Sequence, residues 1–216
     1  MRPRVALNIK SVDYEFLQEQ FGSKSELLLK SNPVHKKIPV LLHNGKPICE
    51  SSIIVEYIDE VWSSSPSILP SDPHNRALAR FWAAYLDEKV PLFWVITAAS
   101  EEEKNAAVDQ LKEVAVEMEG AYGETSRGGD FFGGDKIGVV DIAFGSMLGS
   151  ARAIQVRVGV KLLDEEKTPG LVKWAEKFSA DPAVKDVLPE TEKLVEFAKL
   201  LSAKFKAAAA SDPLRR

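Results

Sequence analysis

Residues 63–73 read SSSPSILPSDP and cut the chain into two halves of unlike pattern. Proline fixes φ and removes a backbone donor, so this stretch predicts an extended linker and no continuing helix. Ahead of it, short elements alternate in type. Beyond it, apolar residues recur at helical spacing. The expectation is a mixed α/β domain over 1–62, a linker over 63–73, an all-helical domain over 74–206 and a frayed tail over 207–216.

In the first half, Pro3–Lys10 predicts a helix with proline in its first turn, where a missing N–H is tolerated. Tyr14-Glu15-Phe16-Leu17 predicts a strand. Ser25–Lys30 predicts a short helix capped by Ser23 or Ser25. Ile38–His43 and Lys46–Cys49 are apolar runs split by Asn44-Gly45, a strong hairpin signal. Glu50–Trp62 then carries Ile53, Ile54, Tyr57, Ile58 and Val61 at helical spacing.

The second half predicts helices over Arg76–Val90, Lys104–Met118, Asp141–Arg157, Pro169–Phe178, Pro182–Val187 and Thr191–Phe205. The Asp141 helix opens on an almost unbroken apolar run and is expected at the centre of the bundle.

The stretch NPVHKKIPVLLHNGKPICES (32–51) suits gripping a small anionic peptide. Lys36-Lys37 supply cations. The Ile38-Pro39 step opens a strand, as an ordinary trans proline or as a purposeful cis one. Glu50-Ser51 opens a helix, where free N–H groups attract anions; plain capping would use the same two residues. Lys36 and Lys46 read as solvated charges, His35 as a hydrogen-bonded turn residue, and Cys49 as a small buried apolar side chain.

The chain has 216 residues, 45% hydrophobic and 28% charged, within the range of ordinary globular proteins. A net charge of −4 argues against sequence-independent nucleic-acid binding. Cys49 is the one cysteine, so no internal disulfide forms and a reducing compartment fits. No apolar run approaches the roughly 18 residues that span a bilayer, and no signal peptide is visible. The expected setting is the cytosol, with no membrane partner.

The segments SVDYEFL, NPVHKKIPVLLHNGKPICES, VEYIDEVW, ILPSDP, RFWAAYLDEK and FFGGDKIGVVDIAFG stand in an order and spacing that resembles the cytosolic glutathione transferases, specifically the plant tau class. The resemblance covers nearly the whole chain. It implies a thioredoxin-like N-terminal domain, an all-α C-terminal bundle and a homodimer. The reaction it implies is attack of the glutathione thiolate on a hydrophobic electrophile, in detoxification or stress response. Glutathione is then a co-substrate, with no separate cofactor and no metal.

Carried over by residue, the resemblance implies a cis Ile38-Pro39 turn, with Pro39 structural and the Ile38 backbone pairing with the cysteinyl peptide as an added strand would. Ser51 would take the γ-glutamyl carboxylate and Glu50 the α-ammonium. Lys24 and Lys37 would take the glycine carboxylate. Arg2 matches a family arginine at the start of the first helix, with its role open. Asp141 would close a capping box on Gly138, a folding role worth about 1 kcal/mol or more.

Tau-class enzymes carry a first strand and then a serine whose hydroxyl bonds the glutathione sulfur. Both fall ahead of Met1, so the expectation is an incomplete version of a longer protein, first strand absent; rearranged neighbouring strands are the alternative. No residue of this chain is then assigned as catalytic, and conjugation is expected to be weak, by on the order of 100-fold for such a donor. Pro91 and Val95 stand where relatives often have a tyrosine and an arginine. Pro91 is expected to end or kink its helix. The acceptor pocket, lined by Phe93, Trp94 and residues near Met147 to Ala151, is expected to be more apolar. A non-catalytic ligand carrier or partner-binding protein is the competing reading. A thioredoxin-like redox protein or dehydroascorbate reductase is a weaker one, since it needs a cysteine where the first helix starts.

Overall fold

Helix caps decide where the two longest helices begin. Asp72 accepts a hydrogen bond from the Asn75 amide at 2.8 Å, and Pro73 follows in the first turn. Ser100 and Glu103 form a reciprocal capping box, Ser100 N–H donating to Glu103 at 2.9 Å. The resulting helices, α4 (Pro73–Ala98) and α5 (Glu101–Thr125), are longer at both ends than their apolar periodicity predicts. The structure is a computed structural model that describes residues 1–20, 22–64 and 66–210, without the side chains of Ala98 and 204–210.

The chain runs α1 (Arg2–Ile9), α2 (Glu26–Ser31), β1 (Val40–His43), β2 (Lys46–Cys49), α3 (Ser51–Val61), α4, α5, α6 (Val139–Val158), α7 (Pro169–Ala180) and α8 (Thr191–Ala210). Asn44 and Gly45, both at positive φ, close the antiparallel β1–β2 hairpin, with Val40 opposite Cys49 and His43 opposite Lys46. Ser25 caps α2 through the Leu28 amide at 3.0 Å.

Two predicted elements differ. Tyr14–Leu17 forms no strand: among the described residues the sheet is β1–β2, and this segment finds no ladder partner. It is tied to α1 instead, Arg4 donating to the Tyr14 hydroxyl at 3.1 Å and lying 4.4 Å from the Phe16 ring centre. Pro182–Val187 is a run of turns, opened by Asp181 accepting from the Ala183 amide and closed ahead of Pro189. Pro91 does not end its helix; α4 continues through it to Ala98. The tail differs too: α8 continues to Ala210, and 211–216 lie outside the described residues.

The linker is docked. Ile68 and Leu69 are buried, and their amides donate to the Asp59 carboxylate at 2.8 and 3.0 Å. Lys10, wholly buried, meets the same carboxylate at 2.7 Å. Val139 N–H then donates to the Ile68 carbonyl at 3.1 Å, fastening the linker to the start of α6.

By length and composition alone α6 could cross a membrane, contrary to the reading of the sequence, but 67% of its apolar window is buried inside the protein. It packs on α1, α4, α7 and α8. Phe144 stacks on Trp174 at 4.9 Å, and Trp174 on Phe178 at 5.4 Å. Asp141 sits under this cluster with no exposure. It accepts from the amides of Gly138 (2.8 Å), Phe132 (2.8 Å) and Gly133 (3.1 Å), and from the Trp174 indole at 2.7 Å. The predicted capping box is therefore present, within a larger knot.

Candidate functional site

Asn32 shapes the loop that leads into the hairpin. Buried at the end of α2, its side chain donates to the Lys37 carbonyl at 2.9 Å and accepts from the His35 amide at 3.1 Å. Such local bonds let asparagine hold a turn that the backbone alone would not. The loop delivers Lys37, then a cis Ile38-Pro39 peptide, to the rim of a cleft. Ile38 is 64% exposed there, unusual for an isoleucine beside a folded sheet.

β2 runs straight into α3 through Glu50, held at φ 71° and ψ 121°. A non-glycine residue at positive φ is uncommon and tends to mark a functional constraint. The Glu50 side chain makes no capping bond, so it does not cover the amides opening α3. It lies 3.9 Å from the His35 ring.

Arg2 reaches across this helix start. Its guanidinium donates to the hydroxyls of Ser51 at 3.4 Å and Ser52 at 3.2 Å. It pairs with Asp87 of α4 at 2.5 Å, and its Nε donates to Ser146 of α6 at 3.0 Å. Ser52 also donates to Asp87 at 2.9 Å. One guanidinium thus joins α1, α3, α4 and α6, a use that suits its planar fork of donors.

Arg2, Lys37, Ile38, Pro39, Glu50 and Ser51 line one cleft of about 1060 Å³ between the hairpin half and the helical half. The same cleft is lined by Phe93, Trp94 and Met147, as expected, but also by Pro91, Arg157 and the α8 residues Leu194, Phe197 and Leu201. Lys24 is exposed and is not part of the lining. Val95 packs in the bundle instead of facing the cleft.

The N-terminal domain of the glutathione S-transferases matches residues 1–60, and their C-terminal domain matches residues 80–182. Glutathione S-transferase U17 of Arabidopsis thaliana is 64% identical over 202 residues, 92% of this chain and 89% of that protein. A tau-class glutathione S-transferase from mango, solved crystallographically, superposes with a TM-score of 0.88 at 66% identity, covering 93% of this chain and 92% of that one. The chain belongs to the plant tau-class glutathione S-transferases. A rice glutathione S-transferase solved in complex with glutathione gives a TM-score of 0.85 at 34% identity, over 94% of this chain and 92% of that one. The glutathione S-transferase architecture, a small thioredoxin-like domain followed by an all-helical one, is therefore that of this chain.

In this tau-class chain Lys37, Ile38, Pro39, Glu50 and Ser51, all singled out from the sequence, line one cleft. The sequence reading missed Asn32, Ser52, Asp87 and Ser146. The last two meet Arg2 across 85 and 144 residues of chain, beyond any local pattern. Asn32 was the exception, because an Asn-Pro step before a basic loop is a turn signal. Cys49 lies on β2 as expected, half-buried, its thiol 3.6 Å from the Ser31 carbonyl. The His35 amide is bonded in a turn, as expected.

Proposed function

We propose that this chain is a cytosolic, homodimeric glutathione transferase that conjugates reduced glutathione to hydrophobic electrophiles in detoxification or stress response. The observation that carries this is one polar cleft end where the exposed residue Ile38 beside a cis proline, the uncapped start of α3 and the Arg2–Ser51 contact converge. In this reading the Ile38 N–H and carbonyl pair with the cysteinyl peptide. Ser51 and the first amides of α3 take the γ-glutamyl carboxylate, with Arg2 fixing the serine's rotamer. Glu50 takes the α-ammonium and Lys37 the glycine carboxylate. Lys24 is the more distant candidate for that carboxylate. The thiol is directed toward Phe93 and Trp94, where an apolar acceptor would sit. Glutathione serves as co-substrate, with no separate cofactor.

Titration calorimetry with glutathione tests the assignment. Saturable one-site binding is expected, weakened by about tenfold or more in Ser51→Ala, the scale of one hydrogen bond to a charged group. Binding that is absent, or indifferent to Ser51→Ala, would contradict it. Conjugation of 1-chloro-2,4-dinitrobenzene then reports turnover.

A further inference from the structure

The cleft's apolar end contains a cation that the proposed glutathione chemistry leaves without work. Arg157 lies on α6, and with Ser146, Ser150 and Ile154 it forms one stripe facing the cleft. Arg157 is eleven residues beyond Ser146, three helical turns, so the two are roughly 16 Å apart along the axis. Ser146 marks the Arg2–Ser51 end. Arg157 marks the opposite end, among Ile154, Leu194, Phe197 and Leu201.

The guanidinium is held where three helices meet. Its Nη2 donates to the Ser202 hydroxyl of α8 at 3.2 Å, and that hydroxyl donates to the Thr97 carbonyl of α4 at 2.5 Å. Among the described residues no carboxylate lies within ion-pair distance of Arg157. Only one of its five N–H donors goes to a described residue. The acidic residues lining the cleft are Glu50 and Asp87, both at the other end, and Asp87 is already paired with Arg2. A cation in the last turn of a helix is favoured by the macrodipole. That accounts for a charge at this position, not for a guanidinium set on the cleft face among apolar side chains.

We infer that the preferred acceptor is an amphipathic anion: an apolar alkyl or aryl body, reactive at one end, with a carboxylate at the remote end that pairs with Arg157. The apolar body covers Trp94, Ile154 and Phe197, and the carboxylate takes the forked donors, a geometry that guanidinium matches well. This rests on the glutathione reading of the cleft, and it names the substrate class of the same site. It also qualifies the expectation of a more apolar acceptor pocket, since Arg157 is part of the lining.

The test uses a matched pair of probes, S-(10-carboxydecyl)glutathione and its methyl ester, with dissociation constants measured by calorimetry. The acid is expected to bind wild type about tenfold more tightly than the ester, as one charge-assisted hydrogen-bonded pair provides. The acid-to-ester ratio should fall close to one in Arg157→Gln and stay intermediate in Arg157→Lys. Because the ratio is taken within each variant, general damage to the fold cancels. In Ser51→Ala both probes should weaken together with the ratio unchanged. A ratio near one in wild type, or one unaltered by Arg157→Gln, would overturn the inference. If neither conjugate binds any form, the glutathione reading fails by itself. Decanoate against decanol then decides the Arg157 pairing, supporting it only if the acid is favoured and Arg157→Gln abolishes the preference.

Discussion

Asp59 and Asp141 are inward carboxyls shifted in opposite directions. Burial pushes Asp59 up, but the Ile68 and Leu69 amides and the adjacent Lys10 ammonium outweigh it and hold the carboxyl below its ordinary range. Burial of Asp141 pushes it up to about 6 despite four N–H donors. Linkage gives each a sign. For Asp59, the unfolded chain binds the proton more readily, so its stabilisation is full above about pH 4 and fades as pH falls. For Asp141, the folded chain holds the proton more readily between about pH 4 and 6, so its contribution falls as pH rises through that window. Urea midpoints should therefore show the deficit of Asp59→Asn shrinking toward acid and that of Asp141→Asn growing from about pH 6 to 4. Parallel pH profiles would refute the opposed shifts. Asp59→Ala, which breaks the buried ion pair with Lys10, should cost about 3 kcal/mol or more. At this scale the sequence was half legible. The Gly138–Asp141 spacing announces a capping box, whereas Lys10 and Asp59 meet only after α1 and α3 have packed.

Among elements, the close approach of α6 and α7 depends on Gly145. A Cβ built there falls inside the van der Waals envelope of the Phe178 ring, which is fully buried and stacked on Trp174. Gly145→Ala is expected to lower stability by about 1–3 kcal/mol, as overpacking of a filled core does. Gly120→Ala in α5 meets nothing within 4 Å and should raise stability by up to about 1 kcal/mol through helix propensity. Thermal melts that rank the pair the other way would show that the α6–α7 contact is looser than described. Hydrophobic periodicity located every long helix, because a face that packs must repeat. It set α4 and α5 short because caps and not apolar residues decide their ends. It assigned a strand to Tyr14–Leu17 because four residues carry alternation but no information about a partner. It assigned a helix to 182–187, where Val184 and Val187 are buried by a turn.

For the whole molecule, the cleft exists because two halves meet, and Arg2 is the side chain that spans the meeting. It joins the start of α3 to α4 and α6. Arg2→Ala should lower stability by about 1–3 kcal/mol, by loss of bonds to a charged group. It should also weaken glutathione binding, while Arg2→Lys recovers charge but not the fork. Full affinity in Arg2→Ala would mean that Ser51 needs no such support. The division into two patterns at residues 63–73 was readable from proline and serine alone. That the linker is clamped by Asp59, and that α8 closes the cleft's far end, was not, since neither contact is local in sequence. The central claim, that glutathione lies between Ile38 and Ser51 with its sulfur turned toward Phe93 and Trp94, is tested most directly by a crystal structure with S-hexylglutathione. The γ-glutamyl carboxylate is expected within hydrogen-bond reach of Ser51, the cysteinyl amide on the Ile38 backbone and the hexyl chain along Trp94. A tripeptide bound elsewhere, or a cleft left empty at saturating ligand, would contradict it.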